Sequence, residues 1–223
     1  ALKASLAELK GIALGFDVGS LNMIMQTVDD SVWLNAWKEA YKPFPVGKHL
    51  LVRPSWEDEY DAQGRRVLSL DPGMAFGTGS HPTTHMCLEY IDELVKEGDS
   101  VVDLGCGSGI LSIAALILGA KDAIAVDIDP IAETIAYENA ALNGLNNVQF
   151  VAANVFDLLK EKTAEGDRYD VIILDPPAFT KTRSAVDAAV RGYKEINLRA
   201  MKLLPRGGYL ATCSCSHFMT EDL

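Results

Sequence analysis

The chain has 223 residues, 48% hydrophobic and 23% charged, which sets it among ordinary folded proteins with material for one sizeable core plus a small extra piece. A formal net charge of −11 argues against a broad phosphate-attracting surface, because binding nucleic acid by counterion release needs clustered Lys and Arg, although a local basic patch remains compatible with it. No apolar run approaches a membrane span, the start shows no signal-peptide pattern, and Cys87, Cys106, Cys213 and Cys215 lack Cys-x-x-Cys spacing; the expectation is a cytoplasmic protein with neither a disulfide framework nor a zinc site.

Residues 1–10 carry apolar side chains at helical spacing until Gly11 and Gly15 break the pattern, and 20–27 alternates like a strand. This is too little to fold alone, and it reads as the end of a small domain whose beginning is absent. It leads into a predicted helix over 32–41, in which Trp33 and Trp37 are expected to anchor on the neighbouring domain. Pro43 and Pro45 mark the boundary, dividing the chain into 1–45 and 46–223.

Short strands are predicted at 49–53 and 67–70, joined by an acidic turn around Gly64. Then comes Asp71-Pro-Gly-Met-Ala-Phe-Gly-Thr-Gly-Ser-His-Pro-Thr-Thr84, whose glycines at 73, 77 and 79 predict a mobile loop. Pro82 opens a helix running to about 95, whose first amides can hold a carboxylate. His81 and His85 are a candidate base or metal pair, but no acid or cysteine stands at ligand spacing, so no metal is expected.

The centre of the chain is 101–109, Val-Val-Asp-Leu-Gly-Cys-Gly-Ser-Gly, which reads strand, tight turn, helix. Glycines serve there because the turn needs backbone angles closed to side chains and because a ligand must lie against bare backbone at a helix start. Gly105, Gly107 and Gly109 alternate behind Asp103, whereas a dinucleotide fingerprint places its third glycine one position later, so S-adenosylmethionine fits better. A second strand, 123–128, carries Asp127 about 20 residues beyond the glycines, where a carboxylate can accept both ribose hydroxyls.

Asp129-Pro130 caps and opens the next helix, and Asn143-Gly144 closes it. A third strand at 148–152 leaves Asn154 just past its end, placed to read an adenine amino group, and 158–162 belongs to a short helix. The fourth strand, 169–174, ends in Asp175-Pro-Pro-Ala-Phe179, with Phe179 either covering a flat base or packing in the core. A long helix over 186–203 and a fifth strand at 209–213 follow. This alternation predicts an α/β, Rossmann-like, doubly wound and mostly parallel sheet, with ligands above the carboxyl ends of its strands. Asp103, Gly105, Asp127, Asn154, Asp175 and Cys215 all fall at such ends.

From Trp33 to about Gly144 the chain resembles the PrmA family, the methyltransferases of ribosomal protein L11. The resemblance rests on Asn35-Ala-Trp-Lys, Pro54-Ser-Trp, the whole loop from Asp71 to Thr84, and Asp103-Leu-Gly-Cys-Gly-Ser-Gly-Ile-Leu. It implies a class I S-adenosylmethionine-dependent methyltransferase in which Thr84, Gly105 and Asp127 contact the cofactor, and it makes 1–45 the remnant of the ribosomal-protein-recognising domain plus linker. The PrmA pattern has Asn where this chain has Asp175. From about 147 to 223 the chain resembles instead the RlmI-type cytosine-C5 methyltransferases of ribosomal RNA, through Asp175-Pro-Pro-Ala-Phe-Thr-Lys, Arg191-Gly-Tyr-Lys-Glu-Ile-Asn-Leu and Thr212-Cys-Ser-Cys-Ser-His. The seam between the two falls near 138–145, so the chain reads as a hybrid; natural descent, an engineered junction and a misassembled reading frame would each produce it. Methyltransferases of this class resemble one another in having two further strands, so both ends are expected to be cut.

Two acceptor chemistries follow. For an amine, Asp175 and the carbonyl of Pro176 would accept from the NH group. For cytosine C5, a thiolate must add to C6, with Cys215 the first candidate nucleophile and Cys213 the second; a pair of small apolar residues is the plainer alternative. The expected activity is methylation of amino groups on a ribosomal protein, with ribosomal RNA cytosine second and a cofactor-binding module without catalysis third. The cofactor-binding set is Thr84, Asp103, Gly105, Gly107, Gly109, Asp127, Asn154 and Asp175, and the catalytic set is Asp175 and Cys215.

Overall fold

The computed structural model describes residues 2–12, 19–21 and 37–220. The chain divides into two compact units, Ala1–Tyr41 and Lys42–Leu223. In the first, Leu2–Gly11 forms helix α1, residues 37–40 are helical, and the ring of Trp37 lies 6.1 Å from that of Tyr41. Of the strand expected at 20–27, residues 20 and 21 are in no regular structure and the rest lies outside the described residues, as does Trp33.

The second unit begins with a three-stranded sheet of β1 (Phe44–Val46), β2 (Leu50–Pro54) and β3 (Arg66–Leu70). β1 pairs antiparallel with β2, but β2 and β3 run parallel. The acidic stretch between them, with Gln63 and Gly64 both at positive φ, therefore carries the chain back along β2 instead of making a hairpin. Helix α2 (Pro82–Leu94) follows.

The main sheet holds β4 (Ser100–Leu104), β5 (Asp122–Asp127), β6 (Val148–Ala152), β7 (Val171–Leu174) and β8 (Tyr209–Thr212). Every pairing is parallel and the spatial order is β6-β5-β4-β7-β8. The strands are linked by helices α3 (Ile110–Leu118), α4 (Pro130–Leu142), α5 (Val155–Glu165) and α6 (Val186–Lys202), a 3-10 turn at Arg183–Ala185 preceding the last. The central strands β4 and β7 are buried at almost every position because both faces are covered. Val101, Val171 and Ile173 enter a core with Leu88, Ile91 and Ile113, while Val102, Leu104, Ile172 and Leu174 enter a second with Leu159 and Ile196. Helix α3 touches β3 of the small sheet as well as β4 and β5, which accounts for its being apolar all round.

The chain leaves β4, turns through β5 and β6 on one side, and returns to place β7 on the other. The strand order thus reverses at β4, the position where open α/β sheets form their ligand crevice.

Candidate active site

A cavity of about 670 Å³ opens at that crevice, over the carboxyl ends of β4, β5 and β7. Its floor is the glycine turn, in which Gly105, Gly107 and Gly109 take φ values of 93°, 49° and 78°. A Cβ on Gly105 would stand 2.8 Å from the carbonyl oxygen of Asp175, and one on Gly107 would collide with the carbonyl of Phe76. Both positions need glycine on two counts, angle and room. Gly109 does not line the cavity. It caps α3 in the left-handed region, where a Cβ would reach within 2.9 Å of Ala136.

The loop from Asp71 to His81 forms the wall, and it is tethered. Ser108 N–H donates to the Phe76 carbonyl (2.8 Å) and Ser108 Oγ to the Gly77 carbonyl (2.6 Å). Buried Asn139 of α4 joins the same parts, accepting from Asp71 N–H (2.8 Å) and donating to the Ser108 carbonyl (3.0 Å). The loop glycines thus provide close approach: a Cβ at Gly77 would lie 2.7 Å from Ser108 Oγ, and one at Gly79 would lie 3.0 Å from Ile110. Met74 and Phe76 remain exposed on the rim.

Thr84, Gly105, Gly107, Asp127, Asp175 and Cys215 all line this cavity. Asp127 accepts from Gly107 N–H on one oxygen and Asp129 N–H on the other, both at 3.0 Å, which aims the carboxylate along the turn. Asp103 is placed differently from the sequence expectation. It shares the Val101 face of β4 and is wholly buried beneath α3, where Oδ2 accepts from Ser112 Oγ (2.7 Å) and N–H (3.2 Å) while Oδ1 has no partner among the described residues. Burial pushes its carboxyl up to about 7, against the lowering effect of the Ser112 bonds. Asn154 also stands apart: it caps α5 by accepting from Phe156 N–H (2.9 Å) and lines a smaller adjoining pocket of about 140 Å³ with Asp127, Ile128, Phe156, Pro177 and Phe179. Phe179 stacks on Tyr193 at 4.3 Å, so it packs in the core while presenting an edge to that pocket.

On the acceptor side, Asp175 Oδ2 accepts from Thr83 Oγ1 (3.1 Å), and Thr83 Oγ1 lies 2.9 Å from His81 Nδ1. Burial raises the Asp175 carboxyl, partly offset by the Thr83 bond and by His81. In the tautomer whose Nδ1 is bare, His81 also caps its own helix, its ring accepting from Thr83 N–H (3.3 Å), and one of the amides expected to be free for a carboxylate is then used. Cys215 donates its thiol to the Pro176 carbonyl at 3.7 Å, and its ionisation is pushed up first by burial and then by Asp175. Cys213 turns away to Cys87, their sulfurs 3.5 Å apart. Thr83 and Lys181 were absent from the sequence-derived set, and Thr83 could have been found only as a hydroxyl in the first turn of a helix aimed at the glycine turn. Among the described residues no group of three His, Cys, Asp or Glu is arranged to hold a metal ion, and no helix is long and apolar enough to cross a membrane.

A family model for ribosomal protein L11 methyltransferases (PrmA) matches residues 2–175. The chain belongs to this family. The PrmA match continues through the expected seam and ends only at Asp175, beyond β7. Among curated relatives, the ribosomal protein L11 methyltransferase of Caldanaerobacter subterraneus is 48% identical over 166 residues, covering 74% of this chain and 52% of that protein. The same-named protein of Desulforamulus reducens is 38% identical over 197 residues, covering 88% and 58%, so likeness to PrmA proteins also reaches into the stretch with the RlmI-like motifs. This chain spans about half the length of the curated relatives it matches. A crystal structure of the ribosomal protein L11 methylase from Lactobacillus delbrueckii subsp. bulgaricus superposes with a TM-score of 0.60 at 29% identity, covering 76% of this chain and 78% of that one. SMU.776, a putative methyltransferase complexed with SAH, shares the fold at 15% identity, with a TM-score of 0.57 over 91% of this chain and 72% of its own.

Proposed function

We propose that this chain binds S-adenosylmethionine and methylates amino groups of ribosomal protein L11, acting in the cytoplasm, with residues 46–223 as the methyl-transferring domain and 1–45 as part of the substrate-recognising domain. The observation that carries the reading is the meeting of the glycine turn, Asp127 and Asp175, from the ends of three neighbouring strands, around one cavity.

The residues fit the cofactor. The cavity volume is in the range of small-molecule sites, and Gly105 and Gly107 present bare backbone along its floor. Asp127 already accepts one N–H on each oxygen, yet a carboxylate offers about four lone-pair sites, which leaves room for two ribose hydroxyls. The apolar pocket between Ile128 and Phe179 suits a flat adenine, with Asn154 at its edge. Thr84, Gly105, Gly107, Asp127 and Asn154 would hold the cofactor; Asp103 and Gly109 support the turn from beneath. When bound, S-adenosylmethionine supplies a methyl group already activated by a positively charged sulfur.

The chain's own task is therefore to align the acceptor, remove its proton and exclude water. With Oδ2 occupied by Thr83, Asp175 Oδ1 can take a proton from an acceptor ammonium, while the Pro176 carbonyl accepts a second N–H and turns the nitrogen lone pair inward. Burial raises the carboxyl, and the same surroundings lower an amine, so the two proton affinities converge.

Cytosine-C5 methylation of ribosomal RNA is the second reading, favoured by the thiol of Cys215 at this cavity. A nucleophilic cysteine needs its ionisation pulled down, whereas burial and Asp175 push Cys215 up. Transfer of tritiated methyl from S-adenosylmethionine, offered purified L11 and ribosomal RNA separately, tests the choice. Label in L11 is expected. Label in RNA, with a covalent adduct to 5-fluorocytosine RNA that Cys215→Ala abolishes, would establish the second reading; cofactor binding with label in neither acceptor would leave a binding module.

A further inference from the structure

Resting on that amine reading, we propose that Thr83 and His81 are positioning residues that turn one oxygen of Asp175 toward the acceptor nitrogen through a chain of hydrogen bonds, His81 Nδ1–H to Thr83 Oγ1–H to Asp175 Oδ2. The three residues come from the wall loop, the first turn of α2 and the end of β7, and all line the cavity.

Counting protons leaves three arrangements of the network. A threonine hydroxyl has one hydrogen. If Thr83 gives it to Asp175 (3.1 Å), the contact of 2.9 Å to His81 can be a hydrogen bond only if Nδ1 carries a proton and donates to Oγ1. If Nδ1 is bare, it is free to accept from Thr83 N–H (3.3 Å) or from the hydroxyl, and when it takes the hydroxyl proton Asp175 must be protonated to keep its own bond. With Asp175 ionised and Thr83 donating to it, the 2.9 Å contact between Thr83 Oγ1 and His81 Nδ1 is a hydrogen bond only in the Nδ1–H form of His81, and that form locks the carboxylate with Oδ2 covered and Oδ1 free. This is the orienting logic of a nucleophile–base–third-group array, applied to a carboxylate base. An amide at this position could accept the Thr83 hydrogen bond but could not take up the acceptor's proton at neutral pH.

Burial opposes the ionisation of Asp175. Asp103 from β4, Cys87 from α2, and Cys213 and Cys215 from beyond β8 all interact with it electrostatically, and they contribute negative charge or none. Lys181, on the loop that Asp175 itself opens, is the cationic side chain among the cavity-lining residues apart from the histidine. The Thr83 bond and His81 favour the charged form.

The test is the carbon-13 titration of the Asp175 carboxyl in the full chain, alongside the pH profile of methyl transfer to L11. Thr83→Val should raise the carboxyl midpoint by about one pH unit, as expected for the loss of one hydrogen bond to the charged form. It should move the acid limb of kcat by the same amount while KM for L11 changes less than about twofold, and Thr83→Ser should restore both. His81→Phe should shift the midpoint in the same direction and serves if the valine variant does not fold. An unmoved midpoint in either variant, or a serine variant that behaves like valine, would overturn the proposal. If the wild-type chain transfers no methyl to L11, the amine reading fails, and the carboxyl titration still decides the hydrogen-bond chain.

Discussion

The two sides of the cavity are held together in different ways. On the cofactor side every contact has a backbone group at one end or both: Ser108 to Phe76 and Gly77, Gly107 to Asp127, and Asn139 to Ser108, around three glycines at positive φ. The acceptor side is joined through side chains from distant parts of the chain, Thr83 to Asp175, Cys215 to Pro176, and Tyr193 to Ser216 (2.9 Å). Backbone contacts persist through many substitutions as long as the glycines remain, whereas side-chain contacts change with one residue. A protein with this division can keep the glycine-turn side of its cavity while single substitutions alter the other side.

The largest expected effect lies beneath the glycine turn. Asp103, near 7 when folded, lies above an unfolded carboxyl, so the folded chain holds an extra proton between about pH 4 and 7 and loses stability as pH rises through that window. The loss is about 4 kcal/mol, since each decade of proton affinity is about 1.36 kcal/mol. Asp103→Asn should remove it, so that urea unfolding shows the variant gaining on wild type from pH 4 to 8; parallel curves would mean that Asp103 is not titrating there. Next, Gly107→Ala puts a methyl against the Phe76 carbonyl and should cut S-adenosylmethionine affinity about 100-fold, roughly 2.7 kcal/mol, by isothermal titration. The smallest effect is on the other side. Tyr193→Phe removes the bond to Ser216 and should cost about 1 kcal/mol of stability, with cofactor affinity held within about twofold. A large loss of affinity there would show that the two sides are not separable.

The same division explains what could be read from the sequence. The glycine turn and Asp127 were legible because a left-handed turn at a helix start restricts residue type, and the cap Asp129 with Pro130 fixed the start of α4. The five main strands were placed to within one or two residues by their apolar runs. Asp103 was assigned to the cofactor because it precedes the glycines, but strand alternation puts it on the Val101 face, under α3 and against Ser112. Asn154, expected at a strand end, does line the smaller pocket, and α5, which begins directly after it at Val155, also uses it as a cap. Thr83 and Asn139 were invisible because their partners lie far away in sequence, and spacing carries no information across a folded crevice.

The central claim is that the glycine turn and Asp127 together hold S-adenosylmethionine. Isothermal titration of the cofactor into the wild-type chain and Asp127→Ala measures it directly. The account predicts one site in the wild type and affinity lower by about 30-fold or more in the variant, the loss expected when two hydrogen bonds to a charged acceptor disappear. Equal affinity in the two proteins, or no binding by the wild type, would contradict it.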